Sequence, residues 1–134
     1  MKSVAIATGV ATALWVLSPV YGHHSASMFE PTKTVTISGT VKEFQYTNPH
    51  SWLIVDVRNA DGTVTTWGFE AEGPSTLMRA GIRKSDLSPG TKLTITGHPM
   101  RDGRPAATWI NATRADGKIL NPHPKEPAGT TPKE

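Results

Sequence analysis

Two histidines stand side by side at positions 23 and 24, in "VYGHHSASMF", and their chemistry depends on whether a chain terminus lies next to them. A free α-amino group, with an unperturbed pKa of roughly 7.7 to 8.0, and an imidazole, at roughly 6.5, both give up their protons at little cost near neutral pH. If His23 is the first residue of the mature chain, its amine and its ring Nδ1 close one chelate ring on a metal ion. A second imidazole then completes a T-shaped set of three nitrogens, which suits copper(II) in preference to zinc. His24 is the adjacent source of that imidazole, and His50 in "TNPHSW" is the other. The amino-terminal copper motif that needs histidine third is absent, because Ser25 is third. The competing reading is a pair of solvated histidines on a frayed chain end.

The residues before His23 decide between these. Lys2 is followed by an apolar run from Val4 to Leu17 that Ser18 and Pro19 break. That run is shorter than the ~20 residues a transmembrane helix needs and has the organisation of a secretory leader. Signal peptidase prefers small residues at −1 and −3, so a cut after Gly22 fits, whereas a cut after Ala26 would put His24 at −3. The expectation is a signal peptide over 1–22, a periplasmic or secreted protein, and no membrane span once the leader is gone.

Further chemistry is sparse. Metal-bound histidine usually gives its other ring nitrogen to a carboxylate or a carbonyl. Glu70 and Glu72 share one face of a strand, and Asp56 is available on its neighbour, although solvated strand carboxylates need no such role. His50 follows Pro49, which has no N–H and drives the chain out of a ladder, so its ring can project beside Trp52 or simply cap the local backbone. His98 likewise precedes a proline, and His123 falls in a proline-rich tail. No phosphate loop and no nucleophile elbow are present, and no general base or oxyanion arrangement is legible, so the residues point away from an enzyme. With no cysteine, thiolate sites are excluded, and a hydrophobic core must supply the stability. The chain carries a net charge of +3, which falls to +2 once Lys2 leaves with the leader. That balance is too weak and too interspersed to argue for nucleic acid.

The elements that must position these residues follow from periodicity. "TVTISGTVKEFQYTN", from Thr34 to Asn48, alternates apolar and polar residues, with Val35, Ile37, Val41 and Phe44 on one side. The same-face count slips between Ile37 and Phe44, and Gly39 in that interval predicts a bulge or sharp bend. "WLIVDVRN" and "VTTWGFEAE" are the next two strands, joined through the turn signal Asp61-Gly62. "GPSTLMRAG" opens with proline where a helix starts and has Gly81 near its end, which predicts one short helix. Lys92 to His98 and Ala107 to Arg114 are the fourth and fifth strands. From Asn121 the sequence is proline-rich and unpatterned, predicting a disordered tail over 121–134 after a single domain over 23–120.

Strand, strand, strand, helix, strand, strand is the element order of a small five-stranded OB-fold-like barrel, an all-β fold with one short helix between strands 3 and 4. Such barrels bind ligands on a strand face with stacked aromatics, so Trp52 and Trp67 are candidates for a peptide, glycan or envelope partner without metal. The alternative role for both, and for Trp109, is filling a core that has only three phenylalanines to draw on.

The combination of "HHS" after a leader, "VTISGTVKEFQYTNPHSWLIVDV", "WGFE", "GPSTLMRAG" and "LSPGTKLTITGHPMRDG" resembles a family of small exported bacterial proteins, domain-of-unknown-function family 6152. The resemblance runs from about residue 23 to residue 120 and implies an exported single-domain β-barrel with no assigned reaction. The family's signature positions fall here on His23, His24, Ser25, Asn48, Pro49, His50, Trp52, Trp67 and Glu70. Ser51 departs from the alanine common at its position. The resemblance assigns these positions no role, but that they include three histidines strengthens the reading of a metal site at His23, His24 and His50, beside which Glu70, Trp52, Trp67 and Asn48 are candidates for supporting the ligands or binding a partner.

Overall fold

A computed structural model describes residues 28–124 of the chain. It contains β1 (Val35–Gln45), β2 (His50–Arg58), β3 (Val64–Glu72), α1 (Pro74–Arg79), a 3-10 turn (Lys84–Leu87), β4 (Lys92–Pro99), β5 (Ala106–Arg114) and the two-residue β6 (Ile119–Leu120). The strands follow the order β3-β2-β1-β4-β5, and a parallel pairing of Gly68, Phe69 and Glu70 with Ala106, Ala107 and Thr108 joins β3 to β5 and closes the barrel. Antiparallel neighbours with that single parallel closure, and the helix between the third and fourth strands, are the OB-fold arrangement.

β1 serves both halves of the barrel, pairing with β4 over Val35–Thr40 and with β2 from Thr40 onward. Its bulge lies between Val41 and Glu43, beyond the glycine on which the sequence pattern placed it. The extra residue, Lys42, explains why Val41 and Phe44 are both buried although three positions apart. Gly39 does a different job. A Cβ there would sit 2.6 Å from the Asp56 carbonyl oxygen and 2.6 Å from Val55 Cγ1, so only glycine lets β1 coil this closely across β2.

The core gathers Leu53, Val55, Phe69, Ile95, Ala107 and Trp109 from the strands with Leu77, Ile82 and Leu87 from the connection after β3. That connection closes the helix with a glycine in the left-handed region: the Ile82 N–H donates to the Leu77 carbonyl at 2.8 Å and the Gly81 N–H to the Met78 carbonyl at 3.0 Å. This is a Schellman ending, and its customary apolar contact is supplied by Leu77 and Ile82, both fully buried. The Tyr46 hydroxyl lies 3.0 Å from the Pro74 and Ile82 carbonyls, and its single hydrogen donates to one of them at a time, tying the end of β1 to both ends of this segment.

Asp86 holds the 3-10 turn to the β5–β6 hairpin. It accepts from the Arg83 N–H at 2.8 Å and from Lys118 Nζ at 2.5 Å. Burial alone would raise its pKa, but the Lys118 ammonium, the Arg83 N–H and the Arg114 guanidinium outweigh burial and hold it below the ordinary aspartate value of 3.8. A carboxylate whose pKa is depressed by folding contributes stability that is complete above its unfolded pKa and is lost as pH falls through the folded value. Asp86→Asn should therefore lower the melting temperature at pH 6 to 7 and flatten its decline below about pH 4. Parallel acid-melting curves for parent and variant would disprove this. Among the described residues, no helix is long and apolar enough to cross a membrane.

Candidate functional site

His50 is the first residue of β2, immediately after the cis Asn48–Pro49 peptide. The turn before it is held by its own hydroxyls: Thr47 Oγ1 donates to the His50 carbonyl at 3.2 Å, and Ser51 Oγ lies 3.4 Å from the Thr47 carbonyl. Ser51 is fully buried. Gly73 lets this turn pack against the start of α1, since a Cβ there would fall 2.7 Å from Asn48 Oδ1 and 2.9 Å from the Pro49 carbonyl oxygen. Asn48 itself is exposed and acts as part of that packing.

The β2–β3 register sets His50 opposite Glu72 and Trp52 opposite Glu70. His50 and Glu70 are thus diagonal neighbours on the outward face, and His50 Nδ1 hydrogen-bonds Glu70 Oε1. The Glu70 side chain is 11% exposed and that of His50 40%, so the carboxylate is held inside the pair while the ring has an open side. With Glu70 as carboxylate, Nδ1 carries the hydrogen and the Nε2 lone pair is left for another partner. A carboxylate on the far ring nitrogen is the arrangement that orients a metal-binding imidazole and raises its basicity.

Directly paired residues share a face, so Trp52, Glu70, Thr108 and His98 form one outward row across β2, β3, β5 and β4. Beyond Glu70 and Thr108 the two closing strands diverge, and a cavity of about 180 Å³ opens between them. His50, Glu70, Glu72, Thr108 and the edge of Trp109 line it, with Phe29 from the segment before β1 and His123 from the segment after β6. Phe29 is seated by a bridge to Met100, with the Glu30 N–H donating to the Pro99 carbonyl at 2.8 Å and the Arg101 N–H to the Met28 carbonyl at 2.9 Å. Both ends of the described chain therefore converge on the His50 cavity.

The sequence candidates are placed as follows. His23 and His24 lie outside the described residues. His98 turns Nδ1 to the Lys33 carbonyl, donating at 2.7 Å, and is not part of the cavity wall. Trp52 lies half-buried on the outward face, its ring over Gly68, where a Cβ would come within 3.3 Å of Trp52 Cε3. Trp67 pairs with the buried Val55, packs against the core and stacks on Phe69 at a centroid distance of 6.1 Å. Trp52 and Trp67 thus lie on opposite faces of one sheet, so they do not form a shared stacking surface. Trp109 is a core residue whose Nε1 has no hydrogen-bond partner among the described residues. Phe29, Thr108 and His123 are cavity residues that the sequence pattern did not single out; the first and last lie in segments with no periodicity to read. Among the described residues, no three His, Asp or Glu side chains come together in a group that could hold a metal ion.

Comparison with known proteins gives a family. No curated protein matches the chain. A solved structure similar to it is the dimeric N-terminal domain of the PriB protein from Thermoanaerobacter tencongensis, at 17% identity and a TM-score of 0.47, covering 63% of this chain and 97% of that one. A family of unknown function, DUF6152, matches residues 12–110, which takes in β1 to β4, the His50–Glu70 pair and Thr108, and the chain belongs to that family.

Proposed function

We propose that the mature protein begins at His23, works in the periplasm or outside the cell, and binds copper(II) for carriage or sequestration, with zinc as the second metal its nitrogen donors would take. The His23 amine and ring supply two nitrogens, and His50 Nε2, or the His24 ring, supplies the third. Glu70 orients His50 for this role.

One observation carries the reading: the wall that presents His50 also contains Phe29. His24 precedes Phe29 by five residues, so even a fully extended chain keeps it within about 17 Å of that anchor, and any turn brings it nearer. The cavity volume accommodates an ion with several waters, each of which fills about 30 Å³ in the liquid.

The test begins with the intact mass and metal content of the exported protein. Copper(II) titration then compares the chain starting at His23 with the same chain acetylated on its His23 amine, since one added residue would make His24 third and create the terminal copper motif. Loss of the amine chelate should weaken binding by a factor on the order of 100, as expected when one of two linked contacts is removed. Equal affinity of the two forms, or an exported protein cut elsewhere, overturns the terminal site.

A further inference from the structure

At the opposite end of β2 from His50 the outward face is concave, and this groove is independent of the amino-terminal residues and of copper. It has a volume of about 690 Å³ and lies where β1 coils at Gly39, lined by the ends of β2 and β5 and the start of β4. Two rows of paired residues cross its floor: Ser38, Thr94 and Thr113 in one, Asp56, Thr40 and Lys92 in the other. Ser38 Oγ and Thr94 Oγ1 stand 2.8 Å apart, so one hydroxyl donates to the other and one O–H hydrogen of the pair is left for a ligand. Asp56 Oδ1 accepts from Thr66 Oγ1 at 2.6 Å, which leaves Oδ2 as an acceptor. Arg58, two residues beyond Asp56 on the same face of β2, and Lys92 are both exposed, and among the described residues neither side chain has a hydrogen-bond or ion-pair partner. Arg114, which also lines the groove, is already paired with Asp116.

We propose that this groove binds a stretch of acidic polysaccharide, with uronate carboxylates on Arg58 and Lys92 and ring hydroxyls on Asp56 and the row from Ser38 to Thr113. The order of the charges selects this class. Asp56 shares a row with Lys92 and a strand face with Arg58, so a densely charged phosphate chain that reached both cations would be driven against a carboxylate. A chain that alternates hydroxyls with single carboxylates meets each group with its complement, donating to Asp56 and accepting from Arg58 and Lys92. β2 and β4 stand two strand spacings apart across β1, about 10 Å, a distance that suits an extended chain better than a single anion. Serine and threonine hydroxyls both donate and accept, and so satisfy sugar hydroxyls in either sense.

Backbone amide signals of the chain from residue 23, titrated with short oligogalacturonate or oligomannuronate in the presence of a metal chelator, test this without reference to copper. Signals from Ser38 to Thr40 and from Lys92 to Thr94 should shift with one dissociation constant, and binding should weaken as salt is added. A neutral maltooligosaccharide of the same length should bind far more weakly. Replacing both cations, Arg58→Gln with Lys92→Gln, should weaken uronate binding about tenfold, as expected for two solvent-exposed ionic contacts, with an unchanged melting temperature. Thr94→Val keeps the strand and should weaken binding several-fold by removing a hydroxyl. Tripolyphosphate binding as tightly as the uronates would make the groove a general anion site and overturn the proposal. Full affinity in the double variant, or no shift in the groove signals with either uronate, would overturn it equally, and none of these results bears on the copper reading.

Discussion

Alanine at Gly97 should destabilise the protein by about 3 kcal/mol or more, enough to lower its melting temperature by more than about 10 °C. Gly97 follows the irregularity between Thr96 and Gly97, where β4 is pressed against β5. A Cβ at this position would lie 2.1 Å from the Thr108 carbonyl oxygen, 2.9 Å from Ala107 Cβ and 3.2 Å from Phe69 Cε1. The first two contacts belong to β5 at the register where it closes the barrel on β3, so neither can yield without parting a ladder. Phe69 is fully buried, and its ring cannot swing into solvent. A chosen control is Gly103→Ala. Gly103 has φ +79, so the methyl group strains the backbone, but nothing lies within 4 Å of it and the penalty should stay near 1 kcal/mol. Urea unfolding of the two variants measures the difference. A Gly97→Ala variant within 1 kcal/mol of the parent would mean that β4 and β5 move apart far more easily than a closed barrel permits.

The Gly97 contact also shows which parts of the fold a linear reading reaches. Strand existence was legible because alternation in "TVTIS", "WLIVDV" and "LTITG" is a local pattern, and the helix because Pro74 and Gly81 mark its ends. Barrel closure depends on Gly68–Glu70 meeting Ala106–Thr108, a pairing of distant segments that only the element order suggested. The bulge was sensed as a slip in the face count but assigned to Gly39, since glycine is the usual marker; the residue actually inserted, Lys42, has no such mark.

The tryptophan faces were hidden for a more specific reason. A two-residue turn at Asp61-Gly62 would set Ala60 against Thr63 and Trp52 against Ala71. The loop observed instead pairs Arg58 with Val64, with the Asn59 N–H donating to the Thr63 carbonyl at 2.8 Å and Gly62 at φ +87, a three-residue loop of the type I plus bulge kind. That single step of register decides which side chains share a face, and so sets Glu70 rather than Ala71 beside Trp52. Glu70 could be named from the family resemblance; its contact with His50 required the register. Phe29 and His123 required the tertiary fold, because each reaches the cavity through neighbours, Met100 for one and the buried Leu120 and Pro122 for the other, that lie far along the chain from β2 and β3.

Glu70→Gln should weaken copper(II) binding by about 10- to 100-fold while leaving the fold intact, and His50→Ala should weaken it further. Glutamine is nearly isosteric with glutamate, and its amide oxygen can still accept the Nδ1 hydrogen, so the ring keeps its orientation. What disappears is the negative charge that makes Nε2 a stronger donor toward a cation. The His50–Glu70 contact is partly solvated, with His50 40% exposed, so as an ion pair alone it is worth well under about 1 kcal/mol of stability. Both variants should therefore melt close to the parent in the absence of metal, which separates a loss of binding from a loss of structure. Adding copper(II) should raise the parent's melting temperature by the amount its affinity dictates, raise that of Glu70→Gln less, and barely move His50→Ala. A Glu70→Gln protein with parental copper affinity would reduce the pair to a surface ion pair and leave His50 without the support that distinguishes it from His98. The contrast with His98 is the internal comparison: its Nδ1 is turned to a neutral carbonyl and its ring lies outside the cavity wall, so His98→Ala should leave copper binding unchanged.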